Sequence, residues 1–522
     1  MARYIFVTGG VVSSLGKGVS AASLGALLQS RGYSVHVRKF DPYLNVDPGT
    51  MSPLQHGEVY VTNDGFETDL DLGYYERFLG IQLNRNDSCS GGRIYWEVLN
   101  AERRGDYLGA TVQMIPHVSN KIKEHIALPT NTDFVICEIG GTVGDIEQKI
   151  FLESARQFAN DIGRRNVLFA HLALAPYLEQ SGELKTKPTQ MSVRRLLENG
   201  IQADILFVRS PRMLTPDERA KIGMFCNLPA KNVITSMNVD NIYKIPLVYD
   251  EQDVFNIMAQ HFGLPEATGD MTKIKKIEHH LNADLPICTI GVVGKYFDVA
   301  DAYKSLNEAL FHASVQNNVH LKIKKIDAET FTPEDCADVD GILIPGGFGS
   351  RGVEGKIAAA TYARENNVPF MGICLGMQVA VIDFMRNVVG DANANSTEFS
   401  KNCTPVIDIM RDCDKENMGG TLRLGAYPCV IKPGTLAEKI YGAAEISERH
   451  RHRYEVNIEY KDALEKNGMI ISGLSPDGKL PEMVEIPSHK FFIAGQFHPE
   501  FQSSPFTGHP MFNAFINAAK NK

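Results

Sequence analysis

The sequence predicts an α/β protein of two domains. Three observations lead there. Short apolar runs alternate with helical patterns from the first residues onward, which predicts parallel sheets crossed over by helices. The alternation breaks once, around 264–286, where Pro265, Gly269 and a Lys/Glu/His run over 273–280 separate two apolar regions. Each side of that break carries a strand–glycine–helix junction, one around Gly16-Lys17-Gly18 and one at Gly372-Ile373-Cys374-Leu375-Gly376. The expected division is 1–266, a linker at 267–286 with one short surface helix, and 287–522. A chain of 522 residues is too long for a single core.

In chain order, residues 4–7 read as a buried strand. Thr8-Gly9-Gly10-Val11-Val12-Ser13-Ser14-Leu15-Gly16-Lys17-Gly18-Val19-Ser20 follows, then a helical pattern over 21–29 with Leu24, Leu27 and Leu28 on one face. Glycines let backbone N–H groups turn toward an anion, and the helix N-terminus adds partial positive charge. Lys17 would reach the outer phosphates. Gly10 to Gly16 is one residue longer than the standard phosphate loop, and Gly18 stands where Ser or Thr usually holds magnesium, so this is a variant loop. A strand at 34–41 leads into a polar loop at 42–68, long enough to be functional. Asp69-Leu70-Asp71 then opens a helix bearing Tyr74, Tyr75 and Phe78.

A strand at 133–138 ends in Glu138 and leads into Gly140-Gly141-Thr142-Val143-Gly144-Asp145-Ile146-Glu147. A strand at 167–174 precedes the basic loop Lys185-Thr186-Lys187-Pro188-Thr189-Gln190, which opens a helix. Strands follow at 203–209 and 232–236. Between them Thr215-Pro216-Asp217-Glu218 supplies an N-cap, a proline at the first helical position and acids in the first turn. The second domain begins with a strand at 288–294, continues with strands at 321–326, 341–344 and 369–373, and has a late strand at 491–497.

Glu138 and Asp71 offer hard oxygens, and magnesium on nucleotide phosphates needs only one or two carboxylates plus water. Lys17, Lys39, Lys185 and Lys187 stand at strand ends or in loops, where an α/β sheet gathers ligands. Singly each suits a solvated lysine; as a set they suit two phosphorylated ligands. In the second domain, Cys374 lies at a strand-to-helix turn between glycines, the nucleophile elbow with Cys in place of Ser, and the helix N-terminus favours its thiolate. In Gln496-Phe497-His498-Pro499-Glu500, positions i and i+2 of an extended chain face one way. His498 can therefore address the thiol while Glu500 orients the imidazole. Pro345-Gly346-Gly347-Phe348-Gly349 offers backbone N–H groups for an oxyanion hole. The cluster Arg449-His450-Arg451-His452-Arg453 fits either a substrate carboxylate or a solvated basic turn.

Bulk properties narrow the class. A net charge of −9 argues against a general nucleic-acid binder while leaving room for a local basic pocket. Nine scattered cysteines with no C-x-x-C pair argue against a zinc site or a disulfide framework. No 18-residue apolar stretch and no signal-peptide pattern is evident. A cytoplasmic enzyme without a membrane or nucleic-acid partner is the expectation.

Residues 287–522 resemble a class I glutamine amidotransferase domain, through Gly372-Ile373-Cys374-Leu375-Gly376-Met377-Gln378 and Gln496-Phe497-His498-Pro499-Glu500. The whole chain resembles the CTP synthase family. The motifs are the run from Tyr4 to Gly18, Asp41-Pro42-Tyr43-Leu44-Asn45-Val46-Asp47-Pro48-Gly49-Thr50-Met51, Gly57-Glu58-Val59-Tyr60-Val61-Thr62, Arg103-Arg104-Gly105-Asp106-Tyr107-Leu108-Gly109, and 185–190. The resemblance implies an amino-terminal P-loop amidoligase with a parallel sheet like that of dethiobiotin synthetase, and a carboxy-terminal glutaminase. ATP would phosphorylate the C4 oxygen of UTP, and ammonia from glutamine would displace phosphate to give CTP.

The resemblance also implies residue roles. Ser13, Ser14, Leu15, Gly16, Lys17, Gly18, Val19, Lys39, Asp71, Lys185, Thr186, Lys187, Pro188, Thr189, Gln190, Lys221 and Val239 would bind ATP and UTP. Ser13, Asp145, Ile146, Glu147, Lys185, Gln190 and Lys221 would bind the inhibitor CTP. Asp71 and Glu138 would hold Mg2+. Gly347, Leu375, Gly376, Met377, Gln378, Glu398 and Arg453 would bind glutamine around Cys374, His498 and Glu500. His56 would lie on an ammonia passage. A homotetramer with GTP as activator is implied as well.

Two departures from the family pattern stand out. Gln148-Lys149-Ile150-Phe151 replaces a Ser and a Pro-Phe pair, which adds charge near a nucleotide site, removes a proline from a helix start and puts CTP feedback in question. Met237-Asn238-Val239 replaces Lys-Asp-Val, keeping a backbone contact to adenine and losing a lysine. The alternatives are another glutamine-dependent P-loop amidoligase acting on a carboxylate, and a nucleotide-sensing assembly protein whose catalysis is secondary.

Overall fold

A computed structural model describes residues 2–13, 15–51, 57–295, 297, 302–410 and 422–521. The chain forms two compact units, one of Met1–Thr50 and Asp71–His279, the other of Met51–Leu70 and His280–Lys522.

The first unit is organised around β1 (Arg3–Gly9). The other strands of its sheet are β2 (Val35–Asp41), β3 (Ser88–Ser90), β4 (Phe134–Ile139), β5 (Val167–Leu174), β6 (Ile205–Ser210) and β7 (Val233–Met237). Their order is β7-β6-β5-β1-β4-β2-β3, and every pairing is parallel. Both faces of such a sheet are covered, so its strands read as continuous apolar runs. Ile5, Phe6 and Val7 are accordingly fully buried. β1 lies between β4 and β5, and the chain crosses from one side of β1 to the other between those two strands, the switch point where such sheets bind ligands beyond the strands' carboxyl ends.

Three helices position the site: α1 (Lys17–Gln29), α2 (Asp71–Leu79) and α3 (Lys187–Glu198). The leucine pattern of α1 suggested one apolar face, yet eleven of its thirteen residues are buried. Ala21, Ala22, Gly25 and Ala26 explain the difference, because small residues let neighbours close in on the other faces. A Cβ at Gly25 would lie 2.8 Å from Leu79 Cδ2. The 215–218 signal gives a capping box between Thr215 and Glu218 at the start of the helix Pro216–Cys226. Gln148 is fully buried and its Nε2 donates to Gly140 O at 2.6 Å, anchoring the start of the helix Lys149–Ile162 without a proline. A helix of eleven residues, Thr272–Asn282, occupies the stretch read as a linker.

In the second unit the strands of the largest sheet are β8 (Ile287–Gly294), β9 (His320–Asp327), β10 (Gly341–Ile344), β11 (Phe370–Ile373), β12 (Arg423–Ile431), β13 (Glu445–His452), β14 (Ile470–Leu474), β15 (Pro481–Glu485) and β16 (Phe492–Gly495). The order is β9-β8-β10-β11-β16-β15-β14-β12-β13. The first five strands are parallel and the rest antiparallel, so the sheet is mixed. The sequence reading missed this antiparallel wing. Its strands carry buried charge instead of apolar runs, as at Glu448, Arg449, Glu482 and Glu485.

Two further expectations change here. Residues 42–68 are not one irregular loop: Tyr60–Val61 and Glu67–Thr68 pair as an antiparallel hairpin within the second unit. The 449–453 cluster is neither a solvated turn nor, at Arg449 and Arg451, a carboxylate site. Arg449 is buried on β13 and donates to Tyr60 OH (2.8 Å), Val61 O (3.0 Å) and Asn63 Oδ1 (2.5 Å). Arg451 pairs with Glu67 at 2.8 Å. Both clamp the hairpin, while His450 and His452 are buried against each other at 2.9 Å. Burial keeps both of these histidines well below the usual pKa, with Arg423 adding to the effect.

Candidate active site

The first site begins where β1 ends. The glycine-rich loop turns with Val11 (φ 83°) and Gly16 (φ 91°) in the left-handed region, and Gly16 is the N-cap of α1. Lys17, at the start of that helix, donates from Nζ to Gly141 O at 2.9 Å. Burial lowers its pKa, partly offset by Glu138. Lys39, near the end of β2, is enclosed by carboxylates: Asp71 at 2.5 Å, Glu138 at 3.0 Å and Asp41 at 3.5 Å. Burial alone would lower Lys39, but Asp41, Asp71 and Glu138 hold it well above the usual range. The same burial raises Asp41 to about 6, against the pull of Lys39. Tyr75 of α2 donates to the other oxygen of Glu138.

Gly18 now has a physical reason. A Cβ there would stand 2.2 Å from Asp71 Oδ1. The position that usually brings a hydroxyl to a metal is left bare so that a carboxylate from α2 can fill the space. Asp71 and Glu138 thus converge beside the phosphate loop. That donor set suits magnesium, which takes one or two protein carboxylates and completes its shell with phosphate and water.

The nucleotide candidates from the rest of this unit differ in exposure. Asp145, Ile146, Glu147, Lys187 and Lys221 are exposed, and Lys185 pairs with Glu183 at 2.7 Å. Thr189 is buried and donates to Leu174 O at 2.8 Å, and Gln190 donates to Thr186 Oγ1 at 3.1 Å. A cavity of about 280 Å³ is lined by residues that include Leu174, Arg209, Ser210 and Asn238, next to Val239. Ser14 and His56 lie outside the described residues.

The second site is the turn from β11 into the helix Leu375–Phe384. Cys374 holds φ 52° and ψ −103°, a conformation L residues rarely adopt. Its flanking glycines are sterically required. A Cβ at Gly372 would meet Gly376 C at 2.7 Å, and one at Gly376 would meet Ile344 O at 2.1 Å. His498 Nδ1 pairs with Glu500 Oε1 at 2.7 Å, which leaves Nε2 as the nitrogen available to the thiol side; it has no hydrogen-bond partner. The ring stacks on Phe501 at 5.3 Å. Burial would lower the His498 pKa, but Glu500 and Cys374 raise it to about 10. Gly346 faces both groups: a Cβ there would lie 2.7 Å from His498 Cε1 and 3.5 Å from Cys374 Cβ.

Among the glutamine candidates, Glu398 accepts from Gly349 N at 2.7 Å, so that N–H of the 345–349 turn is already engaged. Gln378 is turned inward, donating to Tyr454 O at 2.8 Å and to Gln496 Oε1 at 3.2 Å. Leu375, Gly376 and Met377 are buried behind the thiol, and Gly347 and Arg453 are half-buried.

Residues 3–264 match the family described as CTP synthase N-terminus, and residues 298–518 match glutamine amidotransferase class-I. A curated CTP synthase from Azospirillum brasilense is 54% identical over 99% of both chains. One from Zymomonas mobilis is 55% identical over the same shares. The chain belongs to the CTP synthase family. Among solved structures, a Trypanosoma brucei CTPS glutaminase domain with bound acivicin is 44% identical over 45% of this chain and 94% of that one, with a TM-score of 0.43.

Several participants escaped the sequence reading. Asp41 and Tyr75 complete the Lys39–Glu138 cluster; both lay in quoted stretches, but only the fold brings β2, β4 and α2 together. Gln496, whose Nε2 approaches Cys374 Sγ at 3.6 Å, carried the one usable signal. It is two residues before His498 on extended chain and so shares its face.

Proposed function

We propose that the chain catalyses the ATP-dependent amination of UTP to CTP, with ammonia taken from glutamine. The observation that carries this reading is the full-length likeness to curated CTP synthases. The two sites supply matching chemistry. In the glutaminase, the Cys374 thiolate attacks the side-chain amide carbon of glutamine. The proton on His498 passes to the departing nitrogen, Glu500 holds the imidazole in register, and N–H groups of the 345–349 turn face the oxyanion. Water then releases glutamate from the thioester. Glu398 and Arg453 are suited to the amino and carboxylate ends of glutamine.

In the synthetase, the phosphate loop with Lys17 holds ATP, and the γ-phosphoryl group moves to the C4 oxygen of UTP. Ammonia adds at C4 and phosphate leaves. Asp71 and Glu138 would hold Mg2+, which neutralises phosphate charge when bound. The lysines of 185–190 and Lys221 suit the UTP phosphates, with Asp145, Ile146 and Glu147 on the pyrimidine nucleotide, including inhibitory CTP. The cavity by Arg209 and Asn238 suits adenine. GTP activation and a role for His56 in ammonia passage rest on the family resemblance, as do the domain limits 1–266 and 287–522. A homotetramer is supported by exposed apolar residues on the first unit, among them Trp96, Leu99, Leu108 and Ile146. A cytoplasmic location fits eight free cysteines among the described residues, and none of the described helices is long and apolar enough to cross a membrane.

The test is absorbance-monitored conversion of UTP to CTP with ATP and magnesium, once with glutamine and once with ammonium. Activity with both supports the full reading. Activity with ammonium alone locates a failure at Cys374 or its coupling. Activity with neither overturns UTP as the acceptor.

A further inference from the structure

Behind the phosphate loop lies a buried polar chain that the reaction above does not use. His171 of β5 is fully buried, as is Thr8 of β1, and the two are register partners on adjacent strands. Thr8 Oγ1 lies 2.8 Å from His171 Nδ1, and Ser192 Oγ of α3 lies 2.8 Å from His171 Nε2. Ser192 is itself buried. Gly10, in the first turn of the phosphate loop, sits directly on this chain: a Cβ there would stand 1.9 Å from Ser192 Oγ and 3.6 Å from His171 Cε1. Burial, with Lys17 nearby, lowers the His171 pKa to about 3, so the ring stays neutral. A neutral imidazole has one donor and one acceptor nitrogen. One hydroxyl therefore donates to the ring while the other accepts from it, and neither nitrogen is left unsatisfied.

The two ends of this chain belong to different ligands in the reading above. Thr8 and Gly10 lead into the loop assigned to ATP. Ser192 follows Lys185, Lys187 and Gln190 on the element assigned to UTP. We infer that His171 is a positioning residue, which fixes the spacing between the two nucleotide-binding elements by tying β1 to α3. The γ-phosphoryl group must cross from one nucleotide to the other, and such a transfer depends steeply on the distance between them.

The inference rests on the assignment of those two loops, so that assignment is tested alongside. KM for ATP, KM for UTP and kcat are measured in the ammonium-fed reaction for the full chain and for Lys17→Ala, His171→Phe, His171→Gln, Ser192→Ala and the His171→Phe/Ser192→Ala double variant. His171→Phe keeps the ring volume and removes both bonds; each nucleotide KM is expected to rise about tenfold, and kcat to fall as the two nucleotides move apart. His171→Gln, with one donor and one acceptor, recovers part of the loss. Ser192→Ala shifts both constants in the same direction, and carries the test if His171→Phe does not fold. The double variant is no worse than His171→Phe, because the chain is already broken. A purely structural histidine would lower the melting temperature and leave both KM values unchanged; that outcome, or a rise for one nucleotide alone, overturns the inference. If Lys17→Ala leaves the KM for ATP unchanged, the loop assignment itself has failed. If Lys17→Ala raises it and neither His171→Phe nor Ser192→Ala does, the assignment stands and the inference falls.

Discussion

Replacing Gly346 by alanine would add one methyl group between the nucleophile and its base. The new Cβ would lie 2.7 Å from His498 Cε1, where ordinary contact begins at 3.4 Å, so the ring must retreat by about 0.7 Å. It has little room. Phe501 stacks on one face at 5.3 Å, and Glu500 holds Nδ1 at 2.7 Å. A misplacement of about 1 Å in a reacting group costs about a hundredfold in rate. The expected loss in glutaminase kcat/KM is therefore about thirty- to a hundredfold, or about 2–2.7 kcal/mol of transition-state stabilisation. Glutamate release measures the damage, and CTP formation from ammonium serves as the internal control. Gly346 belongs to the second unit, so the ammonium-fed rate should stay within about twofold of wild type. Glutaminase activity within about threefold of wild type would refute the geometry assigned to His498. Parallel loss of both activities would mean that the methyl group disturbs far more than one ring.

Cys374→Ala should abolish glutamine-fed CTP formation and preserve ammonium-fed formation, read in the same absorbance assay. Gly18→Ala should push Asp71 away from the loop, since its Cβ would meet Oδ1 at 2.2 Å. Ammonium-fed synthesis should fall at least about tenfold and need more magnesium for half-maximal rate, as metal sites suffer when a ligand shifts. For Glu500→Gln the sign follows from the raised His498 pKa of about 10. A raised folded-state pKa contributes stability that is fully present below the ordinary histidine value and is lost as pH rises through about 10. Wild type should therefore melt above Glu500→Gln at pH 6 to 8, with the gap closing beyond about pH 10, and the alkaline limb of glutaminase activity should move to lower pH in the variant.

Where a function needs adjacent residues, the sequence displayed it. The glycine-rich loop, the cysteine elbow and the His498–Glu500 pair are each local, and periodicity placed the parallel strands of the two large sheets, all but Ser88–Ser90, to within a residue or two. What stayed hidden depends on segments far apart in the chain. Lys39 reads as a phosphate candidate from its place at a strand end, but its enclosure by Asp71 and Glu138, from α2 and β4, appears only in the fold. The 449–453 run read equally as a carboxylate site or a solvated turn, because charge usually marks the surface or a ligand; the hairpin at 60–68 supplies the acceptors that let Arg449 be buried. The antiparallel wing escaped notice for the same reason, since strands that bury paired charges break the apolar rhythm on which strand recognition depends.

The backbone at Cys374 sets activity against endurance. With φ at 52° and ψ at −103°, that residue occupies a region natural chains give to glycine, at a cost of about 1–3 kcal/mol. Glycine at 374 would relieve the strain and forfeit the thiol. Drift that rewarded only a sturdier fold would thus tend to erase the nucleophile, and a chain so altered would survive on free ammonia alone. The cysteine persists in that turn only while hydrolysing glutamine is worth more to the cell than the stability it withholds.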